Sequence, residues 1–123
     1  MSTDTKAFFP NATREQIVKV IKLWDPGLKA RSAEDYTVVN FMFKDDSRML
    51  HINDHGYFTG AKGLPHNIDK GTWTSFGAYG RAVEIIKMLC YMLGGYILER
   101  DTESEPFYRV NKNPQKFIKV IFT

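Results

Sequence analysis

Cysteine is nearly absent: Cys90 is the only one, so no disulfide can form within the chain. Met88, Leu89, Tyr91, Met92 and Leu93 surround it. Such neighbours suit a small buried thiol better than a nucleophile, which needs a polar, electropositive setting. Long apolar runs are missing too. The charge-free stretch from Met88 to Leu98 is too short to span a bilayer as a helix, and Gly94 and Gly95 interrupt it. The first residues, Met1 to Lys6, lack the basic start and apolar stretch of a secretory signal. These absences predict a reducing, cytoplasmic location. Acid is missing from the end of the chain: Asp101, Glu103 and Glu105 cluster, and no acidic residue follows them. No internal repeat, low-complexity tract or linker is visible.

What is present suits one folded unit. The chain has 123 residues, 43% hydrophobic and 25% charged, an ordinary globular mix. Dividing it would leave pieces too small to bury adequate cores, so a single α+β domain is expected over residues 1–123, with 1–12 as a flexible or loosely packed arm. Aromatic residues make up 14%, enough for rings to dominate the core. The formal net charge of +3 is below the dense basic excess of a dedicated DNA wrapper.

The first strong element is a helix. Thr13 and Gln16 have capping-box spacing, and Ile17, Val20, Ile21 and Trp24 then recur at helical intervals until Asp25-Pro26-Gly27 ends the pattern. Tyr36 to Phe43 reads as a strand, with Thr37, Val39, Phe41 and Phe43 on one face. Arg48 to Asn53 returns beside it, with Leu50 and Ile52 alternating against Met49 and His51. Tyr57 to Thr59 is a possible short third strand. Gly60 to Gly77 is broken by glycines and reads as a long irregular connection, often a lid or binding loop. A second helix is expected from about Ala78 to Leu93, apolar on nearly every side apart from a stripe of Glu84, Lys87 and Tyr91, and closed by Gly94-Gly95 through a left-handed exit. Tyr96 to Arg100 and Phe107 to Val110 read as a hairpin, and Lys116 to Phe122 as a final strand. The expected order is α-β-β-(β)-α-β-β-β, two helices on an antiparallel sheet of five to six strands.

Three regions have chemistry to weigh. At the predicted start of the second helix, Lys70, Thr72, Trp73, Thr74, Ser75, Phe76, Tyr79 and Arg81 combine hydroxyls, cations and rings. Free backbone donors there favour an anion. The blander explanation, commoner in proteins, is a Thr or Ser N-cap with rings plugging the core. Neither a phosphate-binding loop nor a dinucleotide fingerprint occurs. At the end of the chain, Arg109, Lys112, Lys116 and Lys119 mix with Phe107, Tyr108 and Phe117, as in single-strand nucleic-acid grooves, although lysines on an edge strand also simply deter aggregation. His51, Asp54, His55 and His66 are the metal candidates, but their spacing forces no convergence. No set of nucleophile, base and oxyanion donors assembles, and an enzyme is the less favoured class.

The leading expectation is therefore a non-catalytic binding protein of the inhibitor, antitoxin or accessory type, without a cofactor. It would take a protein partner or small anionic ligand at the Gly60 to Gly80 region. Nucleic-acid binding by the C-terminal strip is the alternative, and a small metal-dependent enzyme the third. Exposed apolar surface on a hairpin would equally suit a homodimer.

Overall fold

The computed structural model describes residues 4–24, 27–43, 46–54, 62–64, 71–77, 81–99 and 106–111. The elements in chain order are β1 (Asp4–Phe9), α1 (Arg14–Trp24), β2 (Ala30–Ser32), β3 (Tyr36–Phe43), β4 (Asp46–Asn53), β5 (Thr72–Gly77), α2 (Arg81–Leu93), β6 (Tyr96–Leu98) and β7 (Tyr108–Arg109). The strands form one seven-stranded sheet in the order β2-β3-β4-β5-β1-β6-β7, and every neighbouring pair is antiparallel. Both helices pack on one face, which makes this an α+β architecture. Among the described residues no helix is long and apolar enough to cross a membrane.

Local chemistry sets the helix ends. Thr13 N–H donates to Gln16 Oε1 at 2.8 Å, and Gln16 N–H donates to Thr13 Oγ1 at 3.2 Å. This reciprocal box satisfies donors that the first turn of α1 leaves free. At the far end of α2, Gly94 takes φ +73° and Gly95 N–H reaches back to Cys90 O at 2.9 Å. That bond closes a Schellman motif, whose left-handed residue glycine adopts without steric cost.

The main core lies between helices and sheet. Ile17 and Ile21 of α1, and Ile85, Ile86 and Leu89 of α2, are buried against Ala7, Phe9, Val39, Phe41, Leu50, Ile52, Phe76 and Ile97. Cys90 belongs to this core, and burial pushes its thiol well above the ordinary value. A second, smaller cluster covers the opposite face of the central strands. There Phe8, Trp73 and Leu98 are buried with Leu64 and Phe107. The Phe8 and Trp73 ring centroids are 4.6 Å apart, and Phe107 meets Trp73 edge-on at 6.1 Å. Phe107 N–H donates to Lys62 O at 2.8 Å, which fixes this layer in place.

Three expectations are corrected. Residues 4–9 are not an arm: β1 lies between β5 and β6, and Ala7, Phe8 and Phe9 are fully buried. The stretch from Gly60 to Gly77 is not all irregular, because Thr72–Gly77 forms β5 in the middle of the sheet. With β2 as a further addition, the order becomes β-α-β-β-β-β-α-β-β. The second helix is described from Arg81 to Leu93, and residues 78–80, where its first turn was expected, lie outside the described residues. The suggested strands at Tyr57 to Thr59 and Lys116 to Phe122 lie outside the described residues.

Candidate functional site

Of the residues expected to form a contact surface before the second helix, Thr72, Trp73, Thr74 and Phe76 are buried strand residues instead. Trp73 and Phe76, three apart, would share one face of a helix, but side chains alternate along a strand. Trp73 therefore enters the smaller cluster and Phe76 the main core. Thr72 is no N-cap: its hydroxyl donates to Ala12 O at 2.6 Å inside the protein. Thr74 is buried, and Ser75 is partly exposed on the other face beside His51 of β4. Arg81 opens α2, while Lys70 and Tyr79 lie outside the described residues.

Of the other two candidate groups, only Arg109, His51 and Asp54 fall among the described residues. Arg109 sits on β7 with its guanidinium 5.3 Å from the centre of the Tyr96 ring, a cation–π contact within the protein. Lys112, Lys116 and Lys119 lie outside the described residues. His51 projects from β4 on the face away from the helices, whereas Asp54 turns to Arg14; His55 and His66 lie outside the described residues. Among the described residues no group of three or more metal-ligating side chains comes together.

The structure does assemble a site around a residue that sequence reasoning left in the background. Arg14, the first residue of α1, donates Nε to Asp54 Oδ1 at 2.8 Å, Nη1 to Ala33 O at 3.0 Å and Thr37 Oγ1 at 3.2 Å, and Nη2 to Glu34 O at 2.8 Å. A planar guanidinium can fill so many acceptors because its donors form a fixed fork. These bonds hold the helix start against the turn between β2 and β3 and the end of β4. Ser32 and Thr37 hydroxyls, 3.0 Å apart, add a link across the hairpin.

The result is a groove of about 520 Å³ between α1 and β2, lined by Arg14, Val18, Lys19, Lys22, Leu23 and Ser32 among others. Leu23 is 71% exposed, the most exposed of the large apolar side chains among the described residues. Lys19 and Lys22 put positive charge on the helix side, opposed in the lining by Glu15. Beyond the groove lies β2, all three of whose residues are exposed, at one end of the sheet.

No family model, curated protein or solved structure matches the chain. Function must be argued from geometry. Near the other end of the sheet, Lys87, Glu99 and Tyr108 form the second polar cluster. Lys87 Nζ lies 2.8 Å from Glu99 Oε1, and Tyr108 O–H donates to the same oxygen at 2.7 Å. Burial alone would raise the Glu99 carboxyl, but the bonds from Lys87 and Tyr108 and the Lys87 charge outweigh it and lower the pKa. Burial, then the bond to Glu99 and its charge, pushes the Tyr108 phenol well above its ordinary range. The cluster ties the β6–β7 hairpin to α2, and Thr5 Oγ1 donating to Glu99 O at 2.9 Å extends the tie to β1. These bonds make the cluster a clasp between α2, β1 and the β6–β7 hairpin.

Proposed function

We propose that the chain is a non-catalytic binding domain that receives a protein partner in the groove between α1 and β2. The supporting observation is the combination of an exposed Leu23 with a basic rim on a wall held rigid by Arg14. An apolar anchor ringed by charge is the arrangement that protein interfaces use, the anchor for affinity and the charge for orientation. The reading keeps the class of function expected from sequence and moves its site away from the Gly60 to Gly80 region.

The experiment is capture from cell lysate, run with and without nuclease, using the tagged wild type beside a Leu23→Asp, Lys22→Glu variant of unchanged melting temperature. A protein retained by the wild type and lost by the variant supports the reading. Equal retention by both overturns it. Retained material that disappears on nuclease treatment would also overturn it, in favour of the basic strip containing Arg109, Lys112, Lys116 and Lys119.

A further inference from the structure

The bonding parity of β2 decides where its backbone points. Its register with β3 is Ala30 to Val39, Arg31 to Val38 and Ser32 to Thr37. On either side, Asn40 N–H reaches Lys29 O at 3.4 Å and Ala33 N–H reaches Tyr36 O at 2.8 Å. Bonded and non-bonded pairs alternate along an antiparallel ladder. Lys29, Arg31 and Ala33 thus spend their main-chain groups on β3, while Ala30 and Ser32 direct N–H and C=O outward from an edge that no other described strand covers.

That edge is a ridge between two grooves. Ala30 and Ser32 border the one against α1. On the other face a second groove, also about 520 Å³, is lined by Arg31, Ser32, Tyr36, Val38, Met49 and His51 among others. Side chains of a strand added at the edge would alternate between them.

We propose that the partner adds an extended, acidic segment antiparallel to β2; this rests on the protein-binding reading above. The backbone of the segment bonds Ala30 and Ser32. Its residues opposite those two enter the groove beside Val18 and Leu23, and the residue opposite Arg31 is acidic. Charge selects this occupant. Lys19 and Lys22 flank one groove, Arg31 the other, and exposed Lys29 adjoins the strand. A second copy of the chain is disfavoured as occupant: symmetric pairing centred on Arg31 sets the two arginines opposite each other in a non-bonded pair, where side chains approach most closely.

The test is titration of the whole protein with a capped, alternating Glu-Val heptapeptide and with its Lys-Val counterpart. The Glu-Val peptide binds and slows amide exchange at Ala30 and Ser32. N-methylation of its Val amides, which face the edge, abolishes binding, whereas N-methylation of its Glu amides is tolerated. Arg31→Glu weakens the Glu-Val peptide roughly five-fold, the scale of one cross-strand charge pair, and shifts preference toward the Lys-Val peptide. No binding, binding indifferent to which amides are methylated, or indifference to Arg31→Glu overturns strand addition. If lysate capture still depends on Leu23 and Lys22 in that event, the groove reading survives alone; if capture does not depend on them either, both fall.

Discussion

Arg14 Nε and Asp54 Oδ1 lie 2.8 Å apart, joining the first residue of α1 to the residue that follows β4, forty positions later in the chain. The Arg14 side chain is 13% exposed and that of Asp54 35%, so the guanidinium is the shielded partner, and its remaining donors are spent on Ala33, Glu34 and Thr37. Replacing Arg14 with Leu should destabilise the chain by about 1.5–3 kcal/mol, the range for hydrogen bonds to charged groups. Lys should recover little, since a point charge cannot reproduce the fork. Urea unfolding of the two variants checks this. A full rescue by Lys would mean that charge alone matters at the site.

Two threonines of β5 should respond in opposite ways to valine. Thr72 Oγ1 donates to Ala12 O, and Thr72→Val should cost about 1 kcal/mol for the lost bond and the buried carbonyl left without it. Thr74 Oγ1 is buried and meets no partner among the described residues. Thr74→Val should be neutral or stabilising by up to about 1 kcal/mol, because an unpaired hydroxyl leaves the core. Equilibrium unfolding of both variants on the same day is the appropriate comparison.

The clasp predicts two limbs of pH dependence. Glu99 has a lower pKa folded than unfolded, so its contribution is present above the unfolded value and is lost as pH falls through the folded one. Tyr108 is raised, so its contribution is complete below the unfolded value of about 10 and declines as pH rises beyond it, where only the unfolded phenol ionises. Glu99→Gln should flatten the acid limb, and Tyr108→Phe the alkaline limb. Cys90, raised by burial, leaves a residual alkaline slope in the second variant. Melting temperature against pH supplies the readout.

Gly63 and Gly94 both hold positive φ, at +86° and +73°. A Cβ at Gly94 meets nothing closer than Arg109 Nη2 at 3.7 Å, so Gly94→Ala should cost only the backbone strain, about 1 kcal/mol. At Gly63 the same Cβ would collide with the backbone oxygen of Phe107. Gly63→Ala must displace the segment that covers Trp73, and should lower stability more than Gly94→Ala. Trp fluorescence during unfolding reports both the loss and its location.

Arg31 also guards the edge against self-pairing. Arg31→Val removes the like-charge contact and adds a strand-favouring side chain, so the variant should self-associate at concentrations where the wild type does not. Sedimentation velocity across a concentration series measures this, and identical profiles would show that the arginine has no such effect.

The elements legible in advance were those whose signals are local. Thr13 and Gln16 carry their own cap, Leu50 and Ile52 alternate with exposed Met49 and His51, and Gly94 supplies its own turn. The pairing of β6 with β7 was likewise visible, since the two strands flank an acidic stretch of sequence. Strands β1 and β5 were not visible for a common reason. Both faces of the central sheet are covered, so alternation along Thr72-Trp73-Thr74-Ser75-Phe76 does not separate inside from outside: Thr72 and Thr74 face the helices, while Trp73 faces the second cluster. The candidate groove was less legible still. Arg14 lies within a capping-box sequence and shows its role only when its acceptors, on Ala33, Glu34, Thr37 and Asp54, arrive from the β2–β3 turn, from β3 and from the residue after β4.

The sequence by itself therefore determined the fold class, α1 with both its ends, α2 with its C-terminal stop, the β3–β4 and β6–β7 pairings and the inert setting of Cys90, because capping, periodicity and turn chemistry act over a few neighbouring residues. Only the tertiary structure decided that β1 and β5 form the centre of the sheet, that Trp73 and Phe76 are core rather than surface, and that Arg14 braces an open edge beside α1. Those outcomes depend on contacts between residues tens of positions apart, and a local pattern holds no record of which distant partner will cover a face.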